Sequence, residues 1–217
     1  MKKVLLLIII IVIIIVGGFL VYQNLTKKKI EKISMPDLKN RKIAMVIAFR
    51  DFRDVEYFIP RDIFAGAGVE VTAVSTEKGI AIGADGGEVE VRTSAAEFRV
   101  ENFDSVVFIG GPGMAKQLDN SEFQQIAREA VENNKILGAI CVAPAVLAKA
   151  GLLQGKKATV WSSPLDKSAV KILKENGADF QSESVVVEGN IITANGPGAA
   201  KEFAEKICFN LTKENSY

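Results

Sequence analysis

Residues 135–151 read KILGAICVAPAVLAKAG. The opening KILGAI is an apolar run of strand length, and VAPAVLAKAG carries apolar residues at helical spacing up to a terminal glycine. A strand that is apolar at every position fits burial on both faces, the habit of parallel sheets covered by helices. One cysteine, Cys141, stands where the two patterns meet, with the helix expected to start at Val142.

The same alternation extends in both directions. Upstream, KIAMVIAF (residues 42–49) is a buried strand, DVEYFIPRDIFAGAG (54–68) a helix, and VEVTAVST (69–76) a second strand. GIAIGADGGEVEVRTSAAEF (79–98) places Asp85-Gly86-Gly87 between alternating runs, a hairpin signal. SVVFIGG (105–111) is a further buried strand, followed by a helix from Ser121 to Asn134. Downstream, KKATVW (156–161) is strand-like and PLDKSAVKILKENGA (164–178) is a helix starting near its proline. SVVVEGNIITAN (184–195) is a strand pair, and GAAKEFAEKICFNLTKE (198–214) an amphipathic closing helix. Strands alternating with helices predict an α/β fold, a three-layer α/β/α sandwich with a mostly parallel sheet. Right-handed crossovers place functional loops at the carboxyl ends of the strands.

The amino terminus differs. Residues 4–22 carry no charge and are mostly Leu, Ile and Val, long enough for one transmembrane helix across the ~30 Å hydrocarbon core. The expected organisation is an anchor over 1–25, a lysine-rich juxtamembrane linker over 26–41 and a domain over 42–217. That is a single-pass membrane protein, with charge counting leaning towards a cytoplasmic domain. The chain has 27 basic and 26 acidic residues, for a net charge of +1. This balance gives no case for nucleic acid. There is no histidine and the two cysteines are far apart, so neither a metal site, a cofactor nor a disulfide framework is expected.

Cys141 has two readings. Free cysteine is among the most buried residue types, so it serves as a small apolar filler. At a strand-to-helix corner it is instead a nucleophile, its sulfur facing free N–H groups that lower the thiol pKa. Gly111, at the neighbouring strand end, and Val142 would then supply amides for an oxyanion hole. Glu56 is either an exposed first-turn carboxylate or a buried acid with a raised pKa, hydrogen-bonded to the sulfur. Cys208 reads as packing on the last helix.

Five pieces in order, DVEYFIPRDIFAGAG, IGADGG, VVFIGGPG, GAICVAPAVLAKAGLLQGKKAT and NIITANGPGAAKEFA, resemble the DJ-1/PfpI superfamily, of class I glutamine amidotransferase-like, flavodoxin-like fold. The resemblance implies Cys141 as elbow nucleophile, Glu56 as its partner, and Gly111 and Val142 as oxyanion donors. Gly110, Trp161 and Ser163 would line the site, and a homodimer is implied. The histidines that branches of the superfamily place beside the site are replaced by Val142 and Ser163. Peptide hydrolysis, which needs a proton delivered to a poor leaving group, is therefore not expected. Glyoxalase- or deglycase-like action on small reactive carbonyls or their protein adducts demands less. The alternative is a low-turnover redox-sensing or binding module, and a third reading is an inactive scaffold.

Overall fold

The computed structural model describes residues 16–18 and 35–213; the unit that begins at Met35 carries every element below. Its strands are β1 (Lys42–Val46), β2 (Arg50–Phe52), β3 (Glu70–Ser75), β4 (Gly79–Gly83), β5 (Glu88–Val91), β6 (Thr93–Ser94), β7 (Ser105–Phe108), β8 (Ile136–Ile140), β9 (Lys157–Ala158), β10 (Asp179–Phe180), β11 (Val185–Glu188) and β12 (Ile191–Ala194). The helices are α1 (Asp54–Gly66), α2 (Pro112–Ala115), α3 (Ser121–Glu132), α4 (Pro144–Lys149), α5 (Ser168–Glu175) and α6 (Ala200–Lys213).

Seven strands form the central sheet in the order β11-β12-β8-β7-β1-β3-β6, parallel throughout except for the edge strand β11. Successive residues of a strand point to opposite faces, and β1 shows the consequence. Ile43 and Met45 join the core beneath α1 and α6, whereas Ala44 and Val46 join the core beneath α3, α4 and α5. Both faces are covered, which is why the strand runs are apolar without alternation. The fold is α/β with a mostly parallel central sheet, as the alternation of patterns predicts.

Register brings the functional strand ends together. Val46 pairs with Phe108, Phe108 with Ala139, and Ala194 with Ile140. The residues just past these positions, including Gly110, Gly111 and Cys141, therefore leave the sheet along one edge.

Four expectations need correction. The segment 156–161 adds no strand to the central sheet: only Lys157–Ala158 is extended, pairing with β10. Beyond it, the Thr159 amide donates to Thr193 Oγ1 and the Trp161 amide to the Cys141 carbonyl, so the chain crosses the strand ends. The helix after it begins at Ser168 rather than at Pro164, because the Ser163 hydroxyl accepts from the Leu165 and Asp166 amides and closes a turn there. After Cys141 the helix proper starts at Pro144, whose missing N–H and fixed φ suit a first turn. Strand β2, with its polar Arg50 and Asp51, was not expected; it pairs with β4 in a small sheet completed by β5.

The single-pass membrane localisation is also corrected. Among the described residues no helix is long and apolar enough to cross a membrane, and the apolar run 4–22 lies outside them except for residues 16–18, which are helical.

Candidate active site

Cys141 follows directly on β8 with φ at +63°. A side chain in the left-handed region costs about 1–2 kcal/mol, and the cost is met by bonds on both sides of the residue. The Cys141 amide donates to the Ala194 carbonyl at 2.9 Å, and its carbonyl accepts from the Trp161 amide at 2.8 Å. The strand thus turns sharply into the 141–143 corner and directs the sulfur off the sheet edge. Cys141 is 9% exposed.

Two backbone amides meet this sulfur, those of Gly111 and Val142. Gly111 has φ at +111°, and a Cβ there would run into the Arg53 nitrogen and the Asp51 carbonyl. Only glycine fits on both grounds. Gly110 has no room either, since a Cβ would meet Cys141 Cβ at 2.5 Å and Glu56 Oε2 at 2.8 Å. The two glycines let the end of β7 press against both the cysteine and the acid.

Glu56 comes from the first turn of α1 and is fully buried. Its Oε2 accepts from the Gly110 amide at 3.2 Å. Its Oε1 is buried without a partner among the described residues, and the side-chain hydrogen bond that bears on this carboxyl is with Cys141. Burial raises the Glu56 pKa from 4.5 to about 7, against the lowering effects of Cys141, Gly110 and the Arg53 charge. Of the two readings of Glu56, the structure realises the buried one.

The expected lowering of the Cys141 pKa does not occur. The thiol is pushed up to about 12, first by burial, then by the Glu56 charge and hydrogen bond, while the Gly111 and Val142 amides act in the opposite sense. Negative charge on either group disfavours it on the other. The pair therefore keeps a proton, held by the sulfur once Glu56 has ionised.

A cavity of about 310 Å³ opens over the sulfur. Pro112, Val142, Trp161, Ala169 and Pro197 give it apolar walls, and Arg53, Asp166 and Ser168 add polar groups. Of the residues predicted from sequence, Cys141, Gly111, Val142 and Trp161 line the cavity, while Glu56 and Gly110 lie beneath Cys141. Ser163 is not among the lining residues, its hydroxyl being engaged in the 163–166 turn. Arg53 and Asp166 were missed: one precedes a helix and the other sits beside a lysine, contexts that read as solvated surface. Among the described residues no group of three or more His, Cys, Asp or Glu side chains is spaced to hold a metal ion.

Comparison with known proteins shows the family of the chain. An uncharacterised protein of Methanocaldococcus jannaschii is 38% identical over 180 residues, covering 82% of this chain and 86% of its own length. The deglycase PfpI of Pyrococcus furiosus is 30% identical over 154 residues, 71% of this chain and 90% of its own. The crystal structure of a ThiJ/PfpI domain protein from Brachyspira murdochii superposes with a TM-score of 0.77 at 33% identity, covering 81% of this chain and 98% of that one. The model of the DJ-1/PfpI family matches residues 41–209, the stretch that holds the parallel sheet, the cysteine corner and the buried acid, and this chain belongs to that family.

Proposed function

We propose that this protein acts on small reactive carbonyls or their early adducts on protein amines, with Cys141 as nucleophile and Glu56 as its proton carrier. The observation that carries the reading is the meeting of Cys141, Glu56 and the Gly111 and Val142 amides beneath one cavity. Relatives named as deglycases and as a glutathione-independent glyoxalase support the general class of activity.

A raised acid pKa near 7 suits a general base at neutral pH. Ionised Glu56 takes the thiol proton as the sulfur attacks the aldehyde carbon of a 2-oxoaldehyde. The C–S bond forms, the carbonyl pair moves to oxygen between the two amides, and Glu56 returns the proton to that oxygen. From the resulting hemithioacetal, Glu56 removes the C1 hydrogen to leave an enediolate and delivers it to C2. The C1 hydroxyl proton passes to the C2 oxygen as the C1 carbonyl reforms as a thioester. Water hydrolyses the thioester, restoring the thiol and releasing a 2-hydroxy acid. The net reaction adds one water and consumes no oxidant or cofactor. With the free 2-oxoaldehyde no amine has to be expelled, so that reaction does not need the missing histidine, and peptide cleavage is not part of the proposal.

The test is methylglyoxal consumption without added thiol. Wild type should form lactate, Cys141→Ala should not, and Glu56→Gln should be slower by about 10²–10⁴-fold. The wild-type rate should rise with pH through about 7, because the base works only when ionised. Equal rates for wild type and Cys141→Ala would sink the reading.

A further inference from the structure

Among the described residues lining the Cys141 cavity Arg53 is the only cationic side chain, and its part in the reaction so far is only the charge that lowers the Glu56 pKa. Its main chain is held firmly beside the oxyanion glycine. The Arg53 amide donates to the Gly110 carbonyl at 3.0 Å, and its carbonyl accepts from the Glu56 and Tyr57 amides. A Cβ on Gly111 would strike the Arg53 nitrogen, so the two residues are in contact. The side chain is about one-third exposed, and its partner is Asp85, reached through one nitrogen at 3.4 Å. Asp85 in turn is fixed by its own amide, which donates to Asp54 Oδ2 at 2.8 Å. A guanidinium carries several N–H donors in a planar fork, and this single long bond leaves most of them to the cavity.

We propose that Arg53 is the specificity-determining residue of this site, receiving the second oxygen of a neutral 1,2-dicarbonyl whose first oxygen lies between the Gly111 and Val142 amides. The inference rests on the reading of Cys141 as nucleophile and adds what that reading lacks, a means of telling dicarbonyls from other aldehydes. Addition to sulfur needs only C1, so any small aldehyde can add. The later hydrogen shift places negative charge on the C2 oxygen, where a guanidinium gives charge-assisted bonds stronger in the transition state than in the ground state. An aldehyde without that oxygen leaves the guanidinium unpaired, the arrangement by which a polar site rejects an analogue lacking an acceptor. Asp166 also lines the cavity, with Oδ1 accepting from the Ser168 amide at 2.8 Å. Its negative charge offsets part of the attraction that Arg53 alone would give a carboxylate-bearing substrate, which suits a neutral dicarbonyl.

The experiment uses the full chain as wild type, Arg53→Gln and Arg53→Lys. Turnover of methylglyoxal is followed as 2-hydroxy acid formed. Separately, reversible occupancy of Cys141 by methylglyoxal or by propanal is read as protection of that thiol from alkylation, located by mass spectrometry. Arg53→Gln should lower kcat on methylglyoxal by about 10²-fold, with Arg53→Lys recovering part. Methylglyoxal occupancy should fall in Arg53→Gln while propanal occupancy stays the same, a split that a merely loosened fold would not produce. An unchanged kcat in Arg53→Gln, or an equal loss of both occupancies, overturns the proposal. Should wild type form no 2-hydroxy acid, the reaction scheme fails, and the occupancy comparison still decides the role of Arg53.

Discussion

At the residue scale, Glu56 illustrates how burial reverses the ordinary meaning of a side chain. As a first-turn carboxylate it would normally face water and favour the positive end of the helix dipole. Here the helix points it inward to the Gly110 amide and the Cys141 thiol. With a folded pKa near 7 against 4.5 in an exposed state, the folded protein holds a proton that the unfolded chain has released between those values. Stability from this group is therefore full below about 4.5, falls as pH rises to about 7, and is flat above, a total of about 3 kcal/mol. The difference in unfolding free energy between wild type and Glu56→Gln, measured by denaturant titration at several pH values, should trace that fall. A difference independent of pH would mean that Glu56 ionises normally. The glutamate was legible in sequence as a candidate because apolar Val55, Tyr57 and Phe58 flank it. The sign of the Cys141 shift was not, since it depends first on how deeply the sulfur is buried and then on a charge contributed by a distant helix.

At the element scale, the β4–β5 hairpin is attached to the start of α1 by one carboxylate. Asp54 Oδ2 accepts from the Asp85 amide at 2.8 Å and Oδ1 from the Gly87 amide at 2.6 Å. The tight Asp85-Gly86-Gly87 turn leaves these amides free to converge, with Gly86 at φ +90°. Bonds to a charged acceptor are worth about 1.5–3 kcal/mol each, but the turn is exposed and water replaces part of the loss. Asp54→Ala should therefore destabilise by about 2 kcal/mol and speed hydrogen exchange at Asp85 and Gly87, and Asp54→Asn should do less. A cost below about 0.5 kcal/mol with unchanged exchange would mean that other contacts hold the turn. The hairpin and its turn residues were readable from the chain, because turn chemistry is local. Strand β2 was not, because Arg50 and Asp51 carry no strand pattern and the segment pairs only with a strand distant in sequence.

At the scale of the whole molecule, the two cysteines report different events. Cys141 opens onto the cavity, whereas Cys208 on α6 is fully buried, its pKa pushed up to about 12 mainly by burial. α6 lies tightly on the sheet because Gly138, in the middle of β8, leaves room for Phe203 and Ile207; a Cβ there would come within 2.9 Å of both side chains. In Cys141→Ala, the remaining thiol should stay unmodified by an alkylating reagent in the native protein and react fully in denaturant. Its labelling rate should follow that of global unfolding. Rapid native-state labelling would show that α6 detaches locally.

What the sequence determined by itself is the class of the fold and the identity of its corner cysteine. Strands buried on both faces appear as unbroken apolar runs, helices as a 3.6-residue period, and the junction of the two marks Cys141; these signals are local, so the chain alone carries them. Only the tertiary structure decided that residues 159–161 leave the sheet to bind the Cys141 carbonyl, that burial and the neighbouring buried Glu56 keep the Cys141 thiol protonated, and that Arg53 faces the cavity while Ser163 does not. Each of these follows from which distant segments share a strand edge or a solvent-excluded space, and long-range pairing and desolvation leave no mark in the order of neighbouring residues.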